Sequence, residues 1–145
     1  MKLNEYNTRA INDVYKNAHI ALQSISNLLP NVKDSGLKNE LREEYEGYER
    51  VIGNVSSFMK EKGVEPKDIN PFKKAMLWTS IKMKTMVDDS KNQAAEMMLK
   101  GTEMGINELT AMKNERSNLD EGVFEQLNEL LTAEESYRKR LMKFL

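Results

Sequence analysis

Four long stretches of the sequence carry apolar residues at every third or fourth position, the spacing that gathers them on one side of an α-helix. The predicted helices cover residues 4–29, 37–62, 84–117 and 122–145. Pro30 follows the first helix and Gly63 follows the second, and both residue types commonly end helices. The pattern therefore predicts an all-α fold.

Short turns join the first helix to the second and the third to the fourth, so each pair should form an antiparallel hairpin. The hairpins span residues 4–62 and 84–145, and the segment 63–83 between them contains two of the three prolines. A segment of about 20 residues can cross the length of a bundle if it is partly extended. We therefore expect one domain over residues 1–145, a four-helix bundle with one long crossover between helices 2 and 3.

The apolar stripe of each helix predicts which side chains form the core. In helices 1, 2 and 4 the stripes consist mainly of aliphatic and tyrosine side chains: Ile11, Val14, Tyr15, Ala18, Ala21, Leu22, Ile25, Leu28, Leu41, Tyr45, Tyr48, Val51, Ile52, Val55, Met59, Val123, Leu127, Leu130, Leu131, Tyr137, Leu141 and Leu145. In helix 3 the stripe is mostly methionine and glycine: Met97, Met98, Gly101, Met104, Gly105 and Met112. The four stripes should face one another across a shared core.

The charge balance and the apolar content limit the partners of this chain. The 22 Lys and Arg residues are matched by 23 Asp and Glu residues, which argues against a nucleic-acid-binding protein with a broad basic face. No stretch approaches the ~20 apolar residues of a membrane span, and the first residues lack the apolar region of a signal peptide. We therefore expect a cytoplasmic protein. The exposed edges of the stripes could pair two copies into a homodimer.

The inventory of reactive side chains is small. The chain contains no cysteine and one histidine, so disulfides and thiolate metal sites are ruled out. With so few candidate nucleophiles and bases, the chain lacks the residues that most hydrolase active sites require, and the sequence identifies no catalytic nucleophile.

Three glutamates, Glu44, Glu108 and Glu134, fall near the middle of the apolar stripes of three different helices. A charged group in the core is costly unless it is paired, protonated or bound to a metal. Carboxylates that face one another between helices suit Mg, Mn, Ca or iron. His19 lies at the edge of the first stripe, level with Glu44, and could turn inward as a further ligand. These four residues are the candidate metal ligands.

In this arrangement the chain resembles the ferritin-like superfamily, and in particular its uncharacterised bacterial branches with an incomplete di-iron ligand set. Members with a di-iron centre carry a Glu on the first helix of each hairpin and a Glu-x-x-His motif on the second. The resemblance implies that Glu108 is the helix-3 carboxylate, and that Glu44 and Glu134 begin the motifs of helices 2 and 4. Fe or Mn would be the metal.

The chain departs from the family pattern at three positions. Ala18 stands where the helix-1 carboxylate would be, and Gly47 and Tyr137 stand where the two histidines would be. The resemblance therefore implies a remnant or a reworked form of a ferritin-type site.

Two functions follow from these observations. The first is a ferritin-like bundle with a reduced carboxylate metal site between its helices, with redox or storage activity. The second is a non-enzymatic structural or protein-interaction bundle without a metal. In the second case the glutamates would bond or pair with nearby side chains: Tyr15, Tyr45, Tyr48, Tyr137 or Arg138. Burial and mutual repulsion should then raise the pKa of at least one of these carboxyl groups.

Overall fold

A computed structural model describes residues 2–66 and 91–145. Within these ranges the chain forms four α-helices and no β-strand: α1 (Glu5–Leu28), α2 (Ser35–Glu61), α3 (Lys91–Lys113) and α4 (Glu121–Met142). Short 3₁₀ turns at Leu29–Asn31 and Arg116–Asn118 lie within the two connections. The all-α prediction is confirmed. Most of the predicted crossover and residues 84–90 of the predicted third helix lie outside the described residues.

Three helices begin at a side chain that accepts a hydrogen bond from the first turn. Asn4 accepts from the Asn7 N–H at 2.8 Å, and Asp34 accepts from the Leu37 N–H at 2.8 Å. Asp120 does the same for the first turn of α4. These caps satisfy N–H groups that have no carbonyl partner within the helix. Gly63, with φ +68°, ends α2 as the sequence predicts.

Contacts between the helices establish their directions. Arg140 pairs with Glu40, and the Asn54 amide donates to Glu129, so the end of α4 lies beside the start of α2. These two helices are therefore antiparallel. The Asn7 side chain bonds the backbone of the α3–α4 turn, where it accepts from the Asp120 N–H at 2.7 Å.

The α1–α2 and α3–α4 pairs are hairpins with short turns, so α1 runs parallel to α4, and α2 runs parallel to α3. Helix α1 packs on all three of the others, and α4 also packs on α2 and α3. None of the helices within the described residues is long and apolar enough to cross a membrane.

The core forms on the predicted stripes of α1, α2 and α4. Most residues predicted from these stripes are buried, with Ile11, Leu41 and Leu127 fully so. The prediction was wrong for Leu145, which is 52% exposed. Five others are only partly buried: Tyr15, Ala21, Leu22, Tyr45 and Ile52. Amphipathic helices gain most of their stability from packing such a stripe, because isolated helices of this length are only marginally stable.

Helix α3 is rotated relative to its predicted stripe. Its buried residues are Ala94, Ala95, Met98, Thr102, Gly105 and Leu109. The prediction was wrong for Met104, which is 71% exposed, and for Gly101, which is also exposed. Thr102 can be buried because its hydroxyl donates to the Met98 carbonyl at 2.8 Å, which satisfies its polar hydrogen within the helix. Small side chains on this face bring the backbone of α3 close to its neighbours.

Candidate functional site

The structure brings two of the three predicted glutamates into the core and leaves the third outside. Glu44 is 0% exposed and Glu134 is 2% exposed. The prediction that Glu108 lies inward was wrong, because Glu108 is exposed and its neighbour Leu109 is buried instead. The rotation of α3 that buries Leu109 also turns the Glu108 side chain to the surface.

Glu44 lies in the middle of α2, enclosed by the core. Neither oxygen of its carboxyl group receives a hydrogen bond from a donor, and Oε2 of Glu40, one turn earlier, also lacks one. Two carboxylates cannot bond each other until one of them holds a proton. Burial raises the pKa of Glu44 to about 10, and the adjacent Glu40 adds to the rise, whereas the positive charge of Arg140 opposes it. Glu44 is therefore protonated at neutral pH and can donate that proton to Glu40.

Arg140 of α4 holds Glu40 in place from the other side. Its Nε donates to Oε1 of Glu40 at 2.9 Å, and its guanidinium also pairs with Glu43. The Glu40 carboxyl group is mostly buried, so this charge-assisted contact is worth more than an ion pair in water. A series of contacts therefore links the half-exposed Arg140, through Glu40, to the fully buried Glu44.

Glu134 lies in α4 and touches two other helices. Its Oε2 accepts a hydrogen bond from the Tyr48 hydroxyl at 3.1 Å, whereas its Oε1 has no donor. Burial raises the pKa of Glu134 to about 8; the bond from Tyr48 opposes this rise and the negative charge of Glu108 adds to it. Burial also raises the pKa of Tyr48 well above its usual value, so the phenol remains a donor.

The carboxyl group of Glu134 packs directly on the backbone of α3. A Cβ atom added at Gly105 would lie 2.7 Å from Oε1 of Glu134, closer than non-bonded atoms approach. Glycine at this position therefore makes room for the carboxyl group, and Glu134 joins α2, α3 and α4 at one level of the bundle.

Gly47 and Tyr137, which stand where the ferritin-like pattern has histidines, pack against each other. A Cβ atom at Gly47 would overlap the Tyr137 hydroxyl and lie 3.1 Å from its Cζ atom. The Tyr137 ring also meets the Tyr48 ring edge-on, with centroids 5.2 Å apart. The large side chain on α4 thus fills the space left by the missing side chain on α2.

His19 lies on α1, and the centroid of its ring is 4.4 Å from the centroid of the Tyr15 ring. The histidine is partly buried, and this burial lowers the pKa of its imidazole. It is therefore neutral at pH 7, like most imidazoles in apolar surroundings.

The predicted hydrogen bonding of glutamate to tyrosine is confirmed for Tyr48, whereas Glu40 and Arg140 were not anticipated. Glu40 precedes Glu44 by one helical turn, so the spacing could have pointed to it. Arg140 could not have been found in this way, because its contact depends on how α4 lies against α2.

The arrangement does not fit a complete di-iron centre. Ala18, Gly47 and Tyr137 replace the carboxylate and the two histidines of the family pattern, and Glu108 lies at the surface. In the two ranges that the structure describes, no group of three or more His, Asp or Glu side chains is placed to hold a metal ion. The site is instead a polar network between α2 and α4 that contains two neutral, buried carboxyl groups.

Comparison with known proteins identified no relative of this chain. No family model matches the chain, no curated protein matches it, and no solved structure matches it. A function must therefore rest on the chemistry of the buried carboxyl groups and their partners.

Proposed function

We propose that this protein is a ferritin-like four-helix bundle that serves as a non-enzymatic structural or protein-interaction module. The observation that carries the proposal is that each buried carboxyl group has a polar neighbour within the bundle. Tyr48 donates to Glu134, and Glu44 lies beside Glu40. A metal ligand must be deprotonated, so a cation shared by Glu44 and Glu134 would have to displace protons from both.

The network can determine how α2 and α4 pair. Tyr48 bonds Glu134 in the middle of the contact, while Arg140 bonds Glu40 towards one end and Asn54 bonds Glu129 towards the other. A shift of either helix by one turn would leave a buried carboxyl group without its partner, at a cost of about 1–3 kcal/mol. Buried polar groups are known to select one register in helical assemblies at the expense of stability.

The ferritin-like architecture is supported by the helix directions. Within the described residues α2 and α3 run parallel, and these directions match those of a bundle with one long crossover between its second and third helices. Helix α2 has 27 residues and is therefore ~40 Å long. A segment of about 20 residues can cover that distance if it is partly extended.

A reduced carboxylate metal site is the competing hypothesis. It is favoured by the oxygen atoms of Glu44 and by Oε1 of Glu134, none of which receives a hydrogen bond. Fe or Mn would be the expected metal, since both accept carboxylate ligands.

Metal analysis separates the two functions. The protein is purified without a metal-affinity tag, its bound metal is measured, and its melting temperature is recorded with and without Fe(II) or Mn(II). We expect no stoichiometric metal and no stabilisation by either ion, because binding to the folded state alone would raise the melting temperature. Stoichiometric metal that is lost in Glu44→Gln or Glu134→Gln would overturn the proposal.

A further inference from the structure

A small cavity lies between α1 and α3, and Glu134 of α4 also lines it. Its volume is about 50 Å³, enough for a few non-hydrogen atoms. The lining residues that matter here are Asn17, Ile20, Met98, Gly101, Thr102 and Glu134. Two glycines on this part of α3, one of which packs against Glu134, leave the space open.

Glu134, which lines the cavity, has one buried oxygen atom without a partner. Tyr48 occupies Oε2 of Glu134, but Oε1 of the same carboxyl group receives no hydrogen bond, although the residue is only 2% exposed. When Glu134 is ionised, Oε1 is a buried acceptor without a donor, which is costly, and a bound cation that supplies an N–H donor would remove the cost and favour the ionised form.

Two other polar side chains of the lining, Asn17 and Thr102, donate hydrogen bonds to the helix backbone. The Asn17 amide donates to the Asp13 carbonyl at 2.9 Å, and the Thr102 hydroxyl donates to the Met98 carbonyl at 2.8 Å. Asn17 therefore keeps its carbonyl oxygen as an acceptor, and Thr102 keeps the lone pairs of its hydroxyl. Together with the carboxyl group of Glu134, these acceptors favour a ligand rich in N–H donors and positively charged.

Apart from Ser24, the remaining lining is apolar, and it includes the exposed Gly101. Ile20 and Met98 line it beside the polar groups, where they can contact a methyl or methylene group. Gly101 is exposed, and a Cβ atom at this position would meet no other atom within 4 Å. An aliphatic chain attached to the ligand could leave the cavity past this glycine.

We propose that this cavity binds the primary ammonium group of a small aliphatic amine, with Glu134 as its counter-ion. The ammonium group provides three N–H donors. It also provides a positive charge that balances the negative charge of the buried carboxylate. The site lies on the α1–α3 side of the bundle and does not depend on the function proposed above.

Calorimetric titration of the full chain with methylammonium chloride tests this proposal at pH 8, near the pKa of Glu134. Tetramethylammonium chloride and potassium chloride serve as controls at the same ionic strength. The first has no N–H donor and is too large for the cavity, and the second is a cation without hydrogen. We expect saturable binding of methylammonium at one site and no saturable binding of either control.

Two substitutions locate the site. Glu134→Gln keeps an oxygen acceptor for Tyr48 but removes the charge, and it should weaken methylammonium binding at least about tenfold. Gly101→Leu should block the opening and abolish binding. Gly53→Leu is the matched control, because Gly53 is an exposed glycine of α2 with no atom near its Cβ position, and it should bind methylammonium as the unmodified protein does.

Three results would overturn the assignment. The first is the absence of saturable methylammonium binding, which would mean that water alone fills the cavity. The second is equal binding by Glu134→Gln, and the third is equal binding of potassium. Circular dichroism of each variant shows that it is folded before the titration is interpreted.

Discussion

Glutamine at position 134 should make the stability of this protein less sensitive to pH. The pKa of Glu134 is about 8 in the folded protein, against 4.5 in the unfolded chain. The folded state therefore holds more protons between these values, and its stability falls as pH rises from 4.5 to about 8. Below that window the group has no effect on the pH dependence, and above it the loss is complete.

The expected slope follows from proton linkage. Each such group lowers the free energy of unfolding by about 1.4 kcal/mol for each pH unit within its window. Glu44 contributes in the same direction up to about pH 10. The pKa of His19 is lowered from 6.5, so its contribution has the opposite sign and ends near pH 6.5. Between pH 6.5 and 8 the two carboxyl groups together should therefore give a slope approaching about 3 kcal/mol per pH unit.

Urea unfolding at several pH values between 6.5 and 8 measures this slope. Glu134→Gln should reduce it by about half, and the double variant with Glu44→Gln should be nearly flat. At pH 8, Glu134→Gln should be more stable than the unmodified protein by about 2–4 kcal/mol, since glutamine cannot ionise and can still accept from Tyr48.

Glu108→Gln is the control for this prediction. Glu108 is exposed, so its substitution should change the free energy of unfolding by less than about 0.5 kcal/mol and leave the slope nearly unchanged. A flat pH profile of the unmodified protein, or a loss of stability at pH 8 in Glu134→Gln, would refute the inference that burial keeps these groups neutral.

Five further substitutions, at four positions, test the packing around the network, each by urea unfolding at pH 7. Gly47→Ala should destabilise the protein by about 1–3 kcal/mol, because the new methyl group overlaps Tyr137. Gly53→Ala should stabilise it by about 1 kcal/mol, because the new methyl group meets no other atom. Equal effects of the two substitutions would contradict this expectation. Tyr48→Phe should cost about 1–2 kcal/mol, because a buried carboxyl oxygen loses its donor, and no loss would mean that water replaces the phenol. Arg140→Ala should cost about 1–2 kcal/mol and Arg140→Lys less, since lysine keeps the charge but not the fork of donors.

The strength of the apolar pattern decided how much could be predicted. In α1, α2 and α4 large aliphatic side chains recur on one side, so the burial of residues such as Ile25, Val55 and Leu130 could be predicted. In α3 the apolar residues are mostly methionine, glycine and alanine, which occur on several sides of the helix. Such a pattern does not define one buried face, and the predicted face was rotated away from the observed one.

The sequence by itself determined four helices, two hairpins and the placement of Glu44 and Glu134 within apolar stripes, because these features depend on spacing along one helix. Only the tertiary structure decided that Glu108 lies outside, that Tyr48 bonds Glu134 and that Arg140 reaches Glu40. The rotation of a helix and its partners across an interface depend on how all four side-chain surfaces fit together. That fit involves residues far apart in the sequence, and no local spacing encodes it.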